Sequence, residues 1–223
     1  MNRELFIWGA GGHAKVVLDT ALSCGVYDSI SFVDDDNERV GTCLGGFPIL
    51  GKPGILTRNR GGYFLIAIGC NRSRRRCFQQ ALSYGLIPAR LIHPAATVAR
   101  SAVIGRGTLV MPAVVINADA VVGDNCILNT GAIVEHDCRI GDDAHISPRA
   151  VLGGGATVEG LAHVGIGAVV FPGATVGFEA IVGGGAVVLK DAPAHSTVVG
   201  VPAKRLRSQE RGCSLTALMG EDA

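Results

Sequence analysis

An acidic tripeptide around a histidine is the first feature of this sequence that could do chemistry. Glu135, His136 and Asp137 are consecutive. Two carboxylates beside an imidazole can raise its basicity and fix its tautomer, as a general base requires. The residues alone leave two interpretations open, a catalytic histidine or a surface histidine in an acidic turn.

A glycine-rich loop near the amino terminus could hold a phosphate group. Residues 9–14 fit the pattern G-x-G-x-x-A between an apolar run and a helical pattern. Glycines there let the backbone approach a phosphate, and the amides of a helix N-terminus donate to it. The acidic residues 34–36 close the next apolar run, where a ribose hydroxyl or a base edge would arrive. Only about ninety residues precede the repeat described below, roughly half of a dinucleotide-binding domain, so a mononucleotide sugar is favoured over a pyridine dinucleotide.

The elements that carry this loop alternate between strand and helix. Apolar runs at residues 5–8, 30–33 and 64–69 predict strands. One helical pattern follows the first run, and a second one follows the third run and ends at Gly85. Strand, helix and strand in this order predict a parallel sheet. Arg72, Arg74, Arg75 and Arg76 could form an anion-binding patch, but a solvated helix start is the favoured interpretation.

The second half is an internal repeat of six residues. Sixteen hexads run from Ala96 to Asp191 without an insertion; the third position is always Val, Ile or Leu, and the first is Ala in twelve hexads. This period is typical of a parallel β-helix with three hexads to a coil, so about five coils are expected. Third positions should point inward, and Gly, Asn and Asp at positions four to six should accept turn conformations with positive φ.

The repeat also predicts where the histidines lie. His136 falls in the turn part of its hexad and should be exterior, whereas His145, two hexads later, belongs to a different face of the prism. The two histidines can therefore converge only across a cleft between neighbouring subunits. His163 follows His145 by one coil and should line the same groove or, more simply, be exterior. Cys126 and Cys138 occupy small first positions and are predicted to be structural.

Composition excludes several classes of function. A net charge of +1 argues against a nucleic-acid binder, which needs surplus cations. No segment has the apolar length of a signal-peptide core or a membrane span. Seven scattered cysteines without a CxxC pair predict reduced thiols in the cytoplasm and no metal site.

Motifs spread over most of the chain resemble a known family. The whole sequence is similar to the hexapeptide-repeat acyltransferases, in the sialic acid O-acetyltransferase and nucleotide-sugar N-acetyltransferase branch, to which bacillosamine and perosamine N-acetyltransferases belong. The resembling stretches occur in the family's order: GAGGHAK (9–15), FVDDD (32–36), AIGCNRSRR (67–75), IHPAA (92–96), EHDCRIGDDAHIS (135–147), GGGA (183–186) and GVPAKRL (200–206).

The resemblance implies a fold and a division of the chain. It implies a small Rossmann-like α/β domain that binds a nucleotide sugar (residues 1–92), an all-β left-handed parallel β-helix (93–206) and a carboxy-terminal tail (207–223). It also implies a homotrimer with active sites at subunit interfaces.

The resemblance also implies residue roles. His136 takes the proton from a sugar amine while Asp137, or Glu135, orients it. Contacts to acetyl-coenzyme A (acetyl-CoA) come from His145, Gly154, Ile166 and Gly184; those to the nucleotide sugar come from Gly11, His13, Asp35 and Asp36. Asn71 and Arg74 match the family's loop pattern. Lys204 and Arg205 could meet the donor's phosphates or cap the coil.

The expected reaction is acetyl transfer from acetyl-CoA to the amino group of a UDP- or GDP-linked amino sugar, by direct attack, for cell-surface glycan synthesis. Two alternatives stay open. An O-acetyltransferase of sialic acid or another sugar would use the same helix, and a solenoid scaffold without activity would bind no acetyl-CoA.

Overall fold

The amino-terminal part is built on a four-stranded parallel sheet. The structure is a computed structural model, and it describes residues 3–206. The predicted tail, residues 207–223, lies outside the described residues. In chain order the elements are β1 (Glu4–Trp8), α1 (Gly12–Cys24), β2 (Ser29–Val33), β3 (Cys43–Leu44), β4 (Phe47–Pro48), a 3-10 helix (Pro53–Arg58), β5 (Tyr63–Ile66), α2 (Asn71–Ser83) and β6 (Ile87–Pro88). The order of strands in the sheet is β2-β1-β5-β6.

The sequence explains why these elements form. Strands β1, β2 and β5 are almost wholly buried, and apolar runs with no alternation are typical of parallel strands covered on both faces. Helix α1 ends at Gly25, whose φ of 62° makes the left-handed cap that a glycine adopts most easily. The predicted parallel α/β domain is confirmed.

The remaining chain winds into a left-handed β-helix of three parallel sheets. Face 1 contains β7 (Leu91–Ile92), β10 (Leu109–Val110), β13 (Ile127–Leu128), β16 (His145–Ile146), β19 (His163–Val164), β22 (Ile181–Val182), β24 (Thr197–Val199) and the antiparallel end strand β25 (Lys204–Arg205). Face 2 contains β8 (Thr97–Val98), β11 (Val115–Ile116), β14 (Ile133–Val134), β17 (Val151–Leu152), β20 (Val169–Val170) and β23 (Val187–Val188). Face 3 contains β9 (Val103–Ile104), β12 (Val121–Val122), β15 (Arg139–Ile140), β18 (Thr157–Val158) and β21 (Thr175–Val176).

The hexad pattern matches the geometry position by position. From Ile104 to Val188 every third-position side chain is at most 7% exposed. Every sixth position from 107 to 185 has φ between 54° and 70°. Most of these sixth positions are Gly, Asn or Asp, as predicted. Four others also adopt this conformation, which is costly for such residues, namely Ala113, Arg149, Leu161 and Glu179.

The β-helix is longer than the hexads indicate. It has about six turns rather than the predicted five, because β7 pairs with β10 and β24 with β22 outside the clean repeat. Backbone hydrogen bonds between coils do not depend on the hexad pattern, so the end coils can form without it. The predicted division between residues 92 and 93 falls directly after β7, a strand that already pairs with β10 of the β-helix. Lys204 and Arg205 lie in β25, which pairs with β24 and ends the sheet.

Helix α2 fastens the two parts together along one corner of the prism. This docking corner is defined as the turn residues between face 3 and face 1, one coil apart, namely Asn125, Asp143, Leu161 and Glu179. Arg72 makes two 2.7 Å hydrogen bonds to Glu179. The predicted solvated helix start is therefore right for the exposed Arg72, Arg75 and Arg76 but wrong for Arg74, which is 1% exposed. Among residues 3–206 no helix reaches the length and hydropathy that crossing a membrane requires.

Candidate active site

His136 stands on the turn between face 2 and face 3, with its side chain in solvent. Its Nδ1 lies 2.7 Å from Oδ2 of Asp137, a residue held at a φ of 59° by the corner. A carboxylate only accepts hydrogen bonds, so the proton of the neutral ring belongs on Nδ1 and the lone pair on Nε2. The hydrogen bond to Asp137 is the main cause that raises the pKa of His136, and the charges of Asp137 and Glu135 add to it.

Glu135 is not bonded to the imidazole. Its Oε2 accepts a 2.9 Å hydrogen bond from Nδ2 of Asn117, which lies one coil earlier. Glu135 therefore acts on His136 through its charge, and Asp137 is the orienting carboxylate.

Gly154 lies directly beside the imidazole, one coil after His136. A Cβ built on Gly154 would be 2.6 Å from Nε2 and 2.7 Å from Cε1 of His136, so no other residue fits there without displacing the ring. The turn is tied in place by hydrogen bonds from Gly155 N to the His136 carbonyl and from Gly173 N to the Gly154 carbonyl. Within residues 3–206 the N–H of Gly154 has no acceptor, so it can donate to a ligand beside Nε2.

His145 and His163 form a second, very different histidine site on face 1. Their strands pair in register, and their rings stack with centroids 4.6 Å apart. Burial, the largest cause, lowers the pKa of His145 well below its usual range and that of His163 to about 4. The expectation that His163 is simply exterior is wrong, because the amino-terminal part covers this face.

The tautomer of His145 follows from its neighbours. Oδ1 of Asn129 accepts the N–H of Thr130 at 2.9 Å, which leaves the donor Nδ2 facing Nε2 of His145 at 3.2 Å. Nε2 is therefore the acceptor and Nδ1 carries the proton. That Nδ1 is buried and has no hydrogen-bond partner among the described residues, although the Gly69 backbone is near enough to affect the ring.

Ile166 and Gly184 are neighbours on the turn between face 1 and face 2. Gly185 N donates to the Ile166 carbonyl at 2.8 Å, and Ile166 is 63% exposed. His136 and Gly154 lie at the other border of face 2. Within one chain, the predicted acetyl-CoA residues thus lie on two different corners, and His145 lies on a third surface.

The glycine loop lies at the carboxyl edge of the parallel sheet, as predicted. Gly9 has a φ of 106°, and a Cβ there would approach the Ala67 carbonyl to 3.0 Å. Gly11 is the N-cap of α1. Asp34 organises the loop by accepting from Ala10 N at 2.6 Å and from Asp36 N at 2.9 Å.

The two predicted acidic contacts and His13 differ in setting. Asp35 and Asp36 are exposed at this edge. His13 is half-buried, and its Nε2 is buried without a partner among residues 3–206. Desolvation, and then the charge of Arg74, lower the pKa of His13 to about 4, so the ring is a neutral hydrogen-bonding group at neutral pH.

Several further residues of these sites were not found from the sequence. Asn117 lies exactly one coil before Glu135, so an 18-residue offset could have identified it. Asn129 precedes His145 by 16 residues, which a count of whole coils does not find. Arg39 bonds Asp36 at 3.1 Å and brings Nη1 to 3.4 Å from the Cβ position of Gly11; no spacing rule indicates it. Among residues 3–206 no group of three or more His, Cys, Asp or Glu side chains could hold a metal ion.

Two family profiles match the sequence. Residues 4–81 match the PglD N-terminal domain. Residues 101–136 and 119–154 match the bacterial transferase hexapeptide of six repeats. No curated protein sequence gives a significant match.

Solved structures resemble the fold over nearly its full length. PerB from Caulobacter crescentus, in complex with CoA and GDP-perosamine, is 40% identical with a TM-score of 0.86, over 92% of this chain and 97% of that one. The acetyltransferase domain of PglB from Neisseria gonorrhoeae FA1090, in complex with acetyl coenzyme A, is 40% identical with a TM-score of 0.86, over 92% and 100%. WeeI from Acinetobacter baumannii AYE is 28% identical with a TM-score of 0.85, over 92% and 100%.

The resemblance inferred from the motifs is confirmed by these similarities, since two relatives at 40% identity match both parts of the fold. The chain is an acyltransferase and belongs to the hexapeptide-repeat sugar N-acetyltransferases with a PglD-type amino-terminal domain.

Proposed function

We propose that the protein transfers the acetyl group of acetyl-CoA to the amino group of a nucleotide-linked amino sugar. One observation carries this proposal: Nε2 of His136, left unprotonated by the bond from Nδ1 to Asp137, lies close to the backbone of Gly154, whose N–H has no acceptor within residues 3–206. A base and an amide donor side by side are what attack on a thioester carbonyl requires.

The reaction follows from this geometry. The sugar amine attacks the carbonyl carbon of the thioester, the C–N bond forms, and the carbonyl electron pair moves to oxygen. Nε2 of His136 takes the amine proton, while the N–H of Gly154 donates to the oxyanion. When the C=O bond re-forms, the C–S bond breaks. The departing CoA thiolate then takes the proton from the His136 imidazolium, which regenerates the base.

Direct transfer, without an acyl-enzyme, is supported by the state of the two cysteines inside the β-helix. Cys126 and Cys138 are fully buried in the prism. Desolvation raises the pKa of both thiols, that of Cys126 to about 12. Neither sulfur is available as a thiolate nucleophile at neutral pH.

The nucleotide-sugar site is proposed at the carboxyl edge of the amino-terminal sheet. The amides at the start of α1, with Gly11 as N-cap, favour an anion, and the Arg39 guanidinium near Gly11 suits a diphosphate. Asp35 and Asp36, the second of which also pairs with Arg39, can accept from ribose hydroxyls or from N–H groups of the base, and His13 can make a neutral hydrogen bond. The PerB complex holds GDP-perosamine, so a GDP-linked or UDP-linked amino sugar is the proposed acceptor.

A homotrimer is proposed because face 2 of the prism is aliphatic and uncovered. Face 1 is covered by the amino-terminal part, and face 3 presents Arg139 and two threonines beside the exposed Val103 and Val121. Face 2 instead carries an outward ladder of half-buried aliphatic residues, namely Val115, Ile133, Val151, Val169 and Val187. Its two borders hold His136 with Gly154 and Ile166 with Gly184. A second copy packed on face 2 would form a groove for acetyl-CoA from both borders. Mass measurement by light scattering should then give three times 23.0 kDa.

A cytoplasmic location and a part in surface-glycan synthesis complete the proposal. All six cysteines of the described residues are unpaired, which is the usual condition of proteins in a reducing compartment.

The decisive experiment measures CoA release and product mass with a panel of acceptors. We expect acetyl transfer to a GDP- or UDP-linked amino sugar, an amide in the product, and a mass increase of one acetyl group. Free sialic acid and the nucleotide sugar with a hydroxyl in place of the amine serve as controls. An ester product from either control would establish O-acetylation instead, and no CoA release with any acceptor would support a scaffold.

A further inference from the structure

Arg74 is the most completely buried charge of the described residues and has no place in the chemistry above. It is 1% exposed, and desolvation lowers its pKa to about 10, so it remains charged at neutral pH. Its guanidinium donates to six oxygens at 2.6 to 3.3 Å: the carbonyls of Asn125, Ile68, Gly69, Asp143 and Ala144, and Oδ1 of Asn71.

These oxygens belong to the two parts of the protein. The Ile68 and Gly69 carbonyls follow β5, in the loop against which Gly9 packs. The Asp143 and Ala144 carbonyls belong to the β-helix, and Ala144 immediately precedes His145. A single side chain therefore fixes the loop edge of the nucleotide domain to the coil that carries His145.

Asn71 repeats this arrangement one coil further on. Its Oδ1 accepts from Nη2 of Arg74 at 2.8 Å, and its Nδ2 donates to the carbonyls of Leu161 and Ala162 at 2.9 and 3.0 Å. Ala162 immediately precedes His163. The pair thus connects α2 to the backbone of both stacked histidines.

We propose that Arg74 is a positioning residue of acetyl transfer, which holds the nucleotide-sugar loops and the His145 coil in one arrangement. The inference rests on the proposed function, because it assumes that the sugar bound near Gly11 must be held in a fixed position relative to the β-helix, which carries His136 and Gly154. Small errors in such placement are expensive, since a displacement of about 1 Å can cost roughly 10²-fold in rate.

The charge of Arg74 provides a readout that is independent of activity. Arg74 lowers the pKa of His13 on α1, of His145 on β16 and of His163 on β19, in each case after burial itself. The other titratable groups that face these rings and the guanidinium are each other's imidazoles and Asp143, Cys126 and Cys70.

Three variants test the inference. Arg74→Lys keeps the charge but can donate at most three hydrogen bonds, Arg74→Met removes both, and Arg72→Met removes an exposed contact between the same two parts. We expect Arg74→Lys to lower kcat by roughly 10- to 100-fold, with the KM for acetyl-CoA little changed. Arg72→Met should stay within about twofold, because exposed ion pairs contribute little.

Histidine titration by NMR completes the test. The pKa values of His13 and His163, about 4 in the wild type, should rise in Arg74→Met and stay low in Arg74→Lys. If Arg74→Met does not fold, Arg74→Lys decides alone. Wild-type kcat in Arg74→Lys, or equal losses in Arg72→Met and Arg74→Lys, would overturn the inference. A wild-type protein that transfers no acetyl group would instead overturn the proposed function, and the titration would still report whether Arg74 acts on the histidines.

Discussion

The His136 turn and the His145–His163 stack use the same side chain in opposite surroundings. His136 stands in water beside two carboxylates, and its pKa is raised. His145 and His163 lie under the amino-terminal part, near a buried cation, and their pKa values are lowered. The first ring can therefore take up a proton during a reaction, whereas the other two stay neutral and serve as hydrogen-bonding groups.

The difference arises from the position of each histidine in the hexad. His136 occupies a fifth position, which the turn directs outward, next to the left-handed corner at Asp137. His145 and His163 occupy second positions, which lie on the outer surface of a strand. That surface is open on face 2 but covered on face 1. The same repeat can thus present one histidine to solvent and bury another without any change in backbone.

The largest loss of activity is expected when the exposed ring of His136 is removed. We expect His136→Ala to lower kcat by roughly 10²–10⁴-fold, the usual range for a lost general base. Its thermal stability should be little changed, because the side chain is mostly exposed. CoA release under saturating substrates measures the effect. Activity near the wild-type level would remove His136 from the mechanism.

A smaller loss is expected when the turn beside the ring is filled. The Cβ of Gly154→Ala would be 2.6 Å from Nε2 of His136, so the ring must move away from the amide donor. We expect kcat to fall by about 10²-fold.

A double-mutant cycle separates this contact from a general disturbance of the coil. Added to His136→Ala, the substitution Gly154→Ala should cost much less than alone, because the clash has gone. Equal costs in both backgrounds would mean that Gly154 acts without His136.

The two carboxylates beside His136 should affect the pH dependence of activity. Asp137 is the main cause of the raised pKa of His136. Asp137→Asn should therefore shift the acidic limb of kcat/KM to lower pH and reduce the plateau by roughly tenfold. Glu135→Gln is the matched control, since Glu135 acts only through its charge and should produce a smaller shift in the same direction. A larger shift in Glu135→Gln would reverse the assigned roles.

The hexad period predicted which surfaces exist but not which of them is covered. Inward third positions, the exterior turn at His136 and the separate face of His145 all follow from counting in sixes, because the backbone enforces that period. The cover on face 1 depends on how α2 docks, and four arginines at 72–76 look alike in a sequence. Only Arg74 shares a helix face with Asn71, Phe78 and Ala81, which are all buried. The six oxygens that accept from Arg74 come from distant parts of the chain. The sequence does not show that they lie together, so it cannot show that Arg74 is the buried arginine.

The smallest effect is expected from the buried pair, His145 and His163. It is a change of stability with pH that leaves His136 unaffected. His163 has a folded pKa of about 4, below the value of about 6.5 expected in the unfolded chain. The unfolded state therefore binds more protons between these values, so the stabilisation is full above pH 6.5 and is lost as the pH falls towards 4. Each such histidine contributes a slope of at most about 1.4 kcal/mol per pH unit.

Replacing His163 by a neutral side chain should remove its part of that slope. Thermal melts of the wild type and His163→Gln should run parallel above pH 7 and converge, or cross, between pH 6.5 and 5, as the wild type loses stability faster. Parallel curves over the whole range would mean that the ring protonates in the folded state, in which case face 1 is accessible to water.

The same thermal melts of Arg74→Met test whether the buried cation contributes to this pH dependence. Because Arg74 is the second cause of the lowered pKa of His163 after burial, the acid slope should be shallower there and unchanged in Arg72→Met.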